Sequence, residues 1–294
     1  MSVSIDGLKR YLRSKQYSVG LGNFDGVHLG HRQVLKQAAW GLTFHPHPRE
    51  VLVGVRDNAG LVEYLTPLDE KQQLIPNLMV LNFTKAFAAM SPEQFVKDIL
   101  VKKLKVKKVY VGYDFCFGKN RSGNIDTLIR LGRQYGFQID VVPVYKKGGI
   151  EVRSSKIREA LTIGDVALAA KLLGRPYRVS GEVVRGLGLG RQLGFPTANL
   201  KISPQKCLPA LGIYKAYAYA GGKRYRAAVS IGHRPTLGKK LDLAVEAYLL
   251  GRKASLYGQT IHIDFLEYLR PELKFEGLEV LKIQIAADVK KAWG

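Results

Sequence analysis

Val19-Gly20-Leu21-Gly22-Asn23-Phe24-Asp25-Gly26-Val27-His28-Leu29-Gly30-His31 sets the architecture of the first half of the chain. A short apolar run leads into a glycine-rich turn and then into a helix. His28 and His31 are three residues apart, which puts both imidazoles on one helix face, one turn apart. Gly26 and Gly30 lack a Cβ and let a ligand approach the backbone. The first turn of a helix has N–H groups to spare and is a ready anion site. Two imidazoles beside it can donate hydrogen bonds to a phosphoryl group as charge builds there.

Outward from this stretch, residues 1–175 alternate between strand-like and helix-like patterns. Strands are expected at Tyr17–Leu21, Gly41–Phe44, Leu78–Asn82, Val106–Gly112 and Phe137–Val144. Helices are expected at Leu29–Ala39, Pro92–Leu104 and Leu128–Tyr135. Ser91 is the expected N-cap of the second, with Glu93 in its first turn. Such alternation predicts a parallel sheet covered by helices, an α/β domain. Ligands gather at the carboxyl ends of its strands, where His28, His31, His45, His47 and Asp114 fall. Two connections read short for parallel crossovers, which take a dozen or more residues. One runs from Ala39 into the strand ending at Phe44; the other is Leu74-Ile75-Pro76-Asn77 before Leu78.

After Pro176 the pattern changes. Strands are expected at Arg178–Val184, Ile213–Tyr219, Tyr225–Ile231, Leu243–Leu250 and Thr260–Leu269, between glycine-rich turns. They predict an antiparallel sheet or small β-barrel. Leu278, Leu281, Ile285 and Val289 recur at helical spacing, so Leu278–Trp293 is a closing helix packed across it. The boundary falls at Leu172-Leu173-Gly174-Arg175-Pro176, where a helix pair stops, giving domains 1–175 and 176–294.

A chain of 294 residues has room for two cores. Its 46 basic and 24 acidic residues leave a net charge of +22, which calls for an anionic partner: nucleotide, nucleic acid or an acidic surface. The densest run, Lys102-Lys103-Leu104-Lys105-Val106-Lys107-Lys108, reads as a solvated helix end or as an RNA contact. Cys116 and Cys207 belong to no Cys-x-x-Cys pair, and no disulfide scaffold is expected. Met1–Lys15 lacks the apolar core of a signal peptide. No apolar run nears the ~20 residues of a membrane span. A cytoplasmic protein without membrane contact is expected.

Four further segments carry chemistry. His45-Pro46-His47-Pro48 follows a strand, its prolines holding the chain extended. In Gly112-Tyr113-Asp114-Phe115-Cys116-Phe117-Gly118-Lys119-Asn120-Arg121-Ser122-Gly123-Asn124, Phe115 and Phe117 can stack on a flat ring system and Arg121 can pair a phosphate. In Glu151-Val152-Arg153-Ser154-Ser155-Lys156-Ile157-Arg158, Ser154 or Ser155 can cap a helix. The N–H groups, hydroxyls, Lys156 and Arg158 can then hold a polyphosphate. Gly186-Leu187-Gly188-Leu189-Gly190-Arg191 is a flexible basic loop ahead of Gly194-Phe195-Pro196-Thr197-Ala198-Asn199. An extended chain sends Thr197 and Asn199 the same way, and such oxygen ligands suit Mg²⁺ held with substrate phosphates. Glu246 lies in an apolar strand, where a carboxylate is costly unless paired or used.

Taken in order, these segments resemble those of the prokaryotic bifunctional riboflavin kinase/FMN adenylyltransferase (FAD synthetase) family. Gly22–His31 is similar to its His-x-Gly-His signature, Ser154-Ser155-Lys156-Ile157-Arg158 to the second signature Ser-Ser-x-x-Ile-Arg with one residue fewer before Ile157, and Pro196-Thr197-Ala198-Asn199 to the riboflavin kinase core. Ile231-Gly232-His233-Arg234-Pro235-Thr236 and Arg270-Pro271-Glu272-Leu273-Lys274-Phe275 also match. Cys116 stands where an arginine is common, and Ser230 where an asparagine is expected.

The resemblance implies a Rossmann-like nucleotidyltransferase domain followed by a riboflavin kinase barrel with a C-terminal helix. It implies two reactions: ATP phosphorylates riboflavin to FMN, then FMN is adenylylated to FAD with release of pyrophosphate. His28 and His31 would stabilise the adenylyl transition state. Gly22, Phe24, Asp25, Gly26, Ser154, Ser155 and Arg158 would hold the nucleotide. His47, Asp114, Phe115, Phe117, Arg121 and Asn124 would line the flavin side. In the barrel, Gly188, Gly190, Arg191, Thr197 and Asn199 would hold ATP. Mg²⁺ would sit on Thr197 and Asn199, with Glu246 as general base. Arg270 is a candidate flavin or phosphate contact. The implied partners are riboflavin, FMN, FAD and ATP; nucleic acid is not expected, and weak self-association is left open. Two rivals stay in view: a single-function adenylyl- or cytidylyltransferase with an inert second domain, and an RNA-binding protein motivated by the charge.

Overall fold

The computed structural model describes residues 3–4, 17–53, 63–186, 188–233, 243–252 and 255–294. Met1–Lys15 therefore lies outside the described residues apart from Val3–Ser4, as do Leu187 and Arg234-Pro235-Thr236. The chain forms two compact units, Met1–Ser154 and Ser155–Gly294.

The first unit carries strands β1 (Val3–Ser4), β2 (Tyr17–Leu21), β3 (Trp40–His45), β4 (Leu78–Asn82), β5 (Val106–Gly112) and β6 (Gln138–Val142). They form one sheet in the order β1-β4-β3-β2-β5-β6, every pair parallel. Helices α1 (Leu29–Leu35), α2 (Pro48–Val53), α3 (Leu68–Leu74), α4 (Lys85–Ala88), α5 (Pro92–Gln94) and α6 (Ile125–Tyr135) connect them. Val19, Leu42, Val109 and Val111 are wholly buried, as strands covered on both faces must be. They pack with Leu100, Leu128 and Leu131 into one core. A two-stranded ribbon, β7 (Lys146–Lys147) and β8 (Ile150–Glu151), precedes the helix that crosses into the second unit.

The two short connections are accommodated because α1 stops at Leu35 rather than Ala39. That leaves four residues to turn, and 18 in all between β2 and β3. Asn77 fastens both turns: its amide donates to Ala39 O at 3.2 Å, and its carbonyl accepts from Gly41 N–H at 2.8 Å. The expected Pro92–Leu104 α-helix is α-helical only to Gln94; Phe95–Lys103 is a π-helix. Five-residue bonding brings Phe95 and Leu100 onto the same inner face, and both are buried. The Ser91 cap holds as expected, in a capping box with Gln94.

The second unit opens with α7 (Ser154–Thr162) and α8 (Val166–Leu173). Strands β9 (Tyr177–Val184), β10 (Ala198–Lys201), β11 (Gly212–Ala220), β12 (Lys223–His233), β13 (Leu243–Leu249) and β14 (Thr260–Arg270) follow. They close into an antiparallel barrel, β10-β13-β12-β11-β14-β9. Period-two alternation shows best on β11, where Tyr214, Ala216, Ala218 and Ala220 are buried and the residues between them half-buried. A four-residue helix, α9 (Leu189–Gln192), sits in the glycine loop.

The closing helix α10 (Leu278–Trp293) is as expected and is pinned by one ion pair. Arg270 donates from Nε to Asp288 Oδ1 at 2.9 Å and from Nη2 to Oδ2 at 2.6 Å, and Gln284 adds a bond to the same carboxylate. Asp288 is 3% exposed. Removing one partner of a buried pair strands the other charge and costs about 3–5 kcal/mol. Asp288→Ala should therefore lower unfolding stability by about that much, with α10 first to lose hydrogen-exchange protection.

Candidate active sites

In the first unit, β2 ends at Leu21 and the chain turns back sharply. Gly22 N–H donates to Leu42 O at 3.1 Å, and Val27 N–H to Phe24 O at 3.1 Å. Phe24 (φ 49°), Gly26 (φ 91°) and Val27 (φ 41°) all lie in the left-handed region. For bulky or β-branched residues such a conformation costs about 1–3 kcal/mol each. Phe24 and Val27 are 1% exposed, so burial of their side chains offsets that strain.

The turn delivers His28 and His31 face to face. His31 N–H donates to His28 Nδ1 at 3.1 Å, making His28 the N-cap of α1. That leaves the His28 proton on Nε2. The rings stack at 3.5 Å, 14° from parallel, and His31 also meets the Phe24 ring edge-on at 5.4 Å. Burial, the neighbouring His28 and the Lys71 ammonium hold His31 well below the usual histidine range. His31 Nδ1 is buried without a hydrogen-bond partner. The His31 imidazole, held neutral, can still donate through its one N–H to a phosphoryl oxygen. Gly30 leaves room for this: a Cβ there would press on Val152 O and the His28 ring.

The second signature reaches the first through Ser154, whose Oγ donates to Asp25 O at 2.7 Å. Ser154 is the first helical residue of α7; the hydroxyl expected to cap the helix is engaged with the loop instead. Ser155, exposed, and Arg158, half-buried, follow in the first two turns of α7. Asp25 points inward: it is 6% exposed and accepts from Leu65 N–H at 3.3 Å and Thr66 N–H at 3.0 Å. His47 Nδ1 accepts from Arg49 N–H at 3.1 Å.

On the loop after β5, Phe117 is 8% exposed and belongs to the core, with Phe115 stacked on it at 5.6 Å. Asp114 and Arg121 are exposed. Asn124 Oδ1 accepts from Thr127 N–H at 2.9 Å as the N-cap of α6. Sequence reasoning missed Lys71: it is 4% exposed and donates from Nζ to Asn23 O at 2.7 Å.

In the second unit the barrel brings Thr197, Asn199 and Glu246 together. Thr197 Oγ1 donates to Glu246 Oε2 at 3.0 Å. Asn199 lies directly opposite Glu246 in the β10–β13 pairing and is 6% exposed. The glycine loop lies against them. A Cβ at Gly186 would collide with the Asn199 amide, and one at Gly190 would meet Phe195 O and stand 3.3 Å from Thr197 Oγ1. Gly188 takes a left-handed conformation, φ 75°, at the start of α9, and Arg191 is exposed on that helix. A hydroxyl and an amide oxygen beside a carboxylate form a hard-oxygen donor set that fits Mg²⁺. Arg270 is not part of this group; its guanidinium is taken up by Asp288 and Pro271 O. Its segment packs on β12 instead, where a Cβ at Gly232 would collide with the Glu272 carboxylate.

Comparison with known proteins bears on both units. Residues 12–156 match the FAD synthetase family model and residues 173–293 the riboflavin kinase family model. The chain is 36% identical to the bifunctional riboflavin kinase/FMN adenylyltransferase of Listeria monocytogenes, over 92% of this chain and 89% of that one. It is 36% identical to the protein of the same name from Escherichia coli K12, over 91% and 89%. A crystal structure described as the macrolide-efflux protein from Streptococcus pneumoniae superposes on it with a TM-score of 0.86 and 26% identity, covering 100% of this chain and 99% of that one.

Proposed function

Since the chain belongs to the bifunctional riboflavin kinase/FMN adenylyltransferase family, we propose that its two reactions are run by two separate residue sets, one within residues 1–175 and the other within 176–294. As a member, it phosphorylates riboflavin with ATP and adenylylates the FMN so formed to FAD. The residue roles are our own reading. The observation that carries it is the stacked pair of buried His28 and half-buried His31 at the start of α1.

In the kinase step, Glu246 takes the proton from the ribityl hydroxyl and Thr197 holds its carboxylate in place. Gly188, Gly190 and Arg191 line the ATP phosphates. Mg²⁺, held by Thr197 and Asn199, would supply charge neutralisation at the transferred phosphate. What remains for the protein is positioning and electrostatics.

In the adenylyl step, an FMN phosphate oxygen attacks the α-phosphorus of ATP. His28 and His31 donate to the phosphoryl oxygens as charge accumulates. Ser155 and Arg158 hold the departing pyrophosphate. On the flavin side we retain His47, Asp114, Phe115 and Arg121, with Phe117 as the support on which Phe115 stacks and Asn124 as the cap that fixes the loop. Gly22, Phe24 and Gly26 shape the turn. The functional boundary is placed near residue 175, because the phosphate-binding α7 belongs to the first reaction. No helix among the described residues is long and apolar enough to cross a membrane; with Cys116 and Cys207 both free thiols, a cytoplasmic location is proposed.

The test is to incubate the purified chain with riboflavin, ATP and Mg²⁺ and to separate the flavins by chromatography. FMN followed by FAD is the expected sequence of products. FMN without FAD would refute the roles given to the first unit. Neither flavin from folded protein would refute the whole reading and turn attention to RNA binding with steep salt dependence.

A further inference from the structure

The stretch Tyr64–Leu74 carries none of the motifs above, yet it touches both loops of the first unit that face the nucleotide. Leu65 and Thr66 N–H groups donate to the Asp25 carboxylate. His47 N–H donates to Tyr64 Oη at 3.1 Å, and the two rings meet edge-on at 5.9 Å. One turn further, on α3, Lys71 donates to Asn23 O at 2.7 Å, and Thr43 Oγ1 donates to that same oxygen at 3.0 Å. A 4%-exposed lysine is expensive. A neutral donor such as the Thr43 hydroxyl already serves that carbonyl, so satisfying an orphaned acceptor does not account for a buried ammonium.

We propose that Lys71 is a positioning residue for FAD formation: its ammonium, clamped on Asn23 O, locks the strained Phe24–Val27 turn that presents His28 and His31. This rests on the reading of that turn as the adenylyl-transfer site. The segment from Tyr64 to Lys71 is then a brace that holds the His28 loop and the His47 loop in register with each other. The charge has a second effect, since the ammonium helps to keep His31 neutral. The charged or titratable groups facing Lys71 are Asp25 from the loop and His31 from α1; Asp69 and Glu70 share its helix. Burial lowers the Lys71 pKa to about 8, with Asp25 opposing the shift. The clamp is therefore a charge-assisted bond below that pH and a weaker, neutral one as pH rises through it.

The experiment measures FAD formation from supplied FMN and ATP as a function of pH for the full-length wild type, Lys71→Met and Lys71→Arg. FMN formation from riboflavin is followed in the same samples. Wild-type kcat should fall as pH rises through about 8. In Lys71→Met, kcat at pH 7 should drop about tenfold, with KM values within about threefold, and the alkaline fall should vanish. Lys71→Arg, whose guanidinium stays charged throughout, should recover most of the activity and keep it above pH 8. FMN formation and the circular dichroism spectrum should not change. A Lys71→Met enzyme within twofold of wild-type kcat would overturn the proposal. So would an alkaline fall that persists in Lys71→Met, or a lowered Tm with kcat intact. Lys71→Met that fails to fold passes the decision to Lys71→Arg, whose wild-type fall near pH 8 would equally overturn it. His28→Asn in the same assay isolates the premise: if it keeps FAD formation, the site reading itself has failed.

Discussion

His28→Ala is expected to lower FAD formation by about 10²–10³-fold, the usual loss when one preorganised donor to a developing charge is removed, and to leave FMN formation unchanged. His28 has two jobs. Its Nδ1 caps α1 by accepting from His31 N–H, and its ring stacks on His31 at 3.5 Å. Alanine removes both, and loss of a cap alone costs about 1 kcal/mol. His28→Asn separates them. Asparagine is among the best N-caps and can accept from His31 N–H, but it cannot reproduce the imidazole donor. If the donor matters, both variants lose FAD formation by a similar factor while His28→Asn keeps wild-type Tm. If capping is the whole role, His28→Asn retains activity. The kinase reaction reports in the same tube that the second unit is intact. Loss of FMN formation as well, in folded protein, would count against two independent residue sets.

The second large effect is expected at Glu246. Glu246→Gln keeps size and shape, and its amide oxygen can still accept from Thr197 Oγ1, which now donates to Glu246 at 3.0 Å. What it loses is basicity. Removing a general base typically costs 10²–10⁴-fold, so FMN formation should fall by about that factor. FAD formation from supplied FMN should stay at the wild-type rate. A kcat loss with KM for riboflavin nearly unchanged would place the effect in the transition state. A large rise in KM at constant kcat would make Glu246 a binding group and send the search for the base elsewhere.

Where sequence and structure part company, the cause is the same each time. The 3.6- and two-residue periods are properties of the local chain, so strands β2–β6 and β9–β14 were legible, apart from the short β10, and α10 was read to the residue. What the local pattern could not carry is how far each element extends. Helix α1 stops four residues early because a parallel crossover needs the turn, and Phe95–Lys103 winds as a π-helix because Phe95 and Leu100 face one core. The motif residues divide similarly. Thr197 and Asn199 were read as pointing the same way, and the barrel brings Glu246 against both. Arg270 is drawn to Asp288, 18 residues later, and Phe117 into the core against Phe95. Those destinations depend on partners that adjacency in the chain does not reveal.

By itself, the amino-acid sequence determined the class of each half, because strand and helix periods and glycine turns act over a few residues; the two activities came from the resemblance carried by the paired histidines and the Pro-Thr-Ala-Asn run. Only the tertiary structure decided which of those side chains are taken up by the framework, as Arg270 is by Asp288 and Phe117 by the core. It also revealed the support: Lys71, 48 residues from Asn23, and the Leu65 and Thr66 amides, some 40 residues from Asp25. A lysine in an ordinary helical run has no local mark of burial. Its cost and its use arise only when folding encloses it against a carbonyl brought from far along the chain.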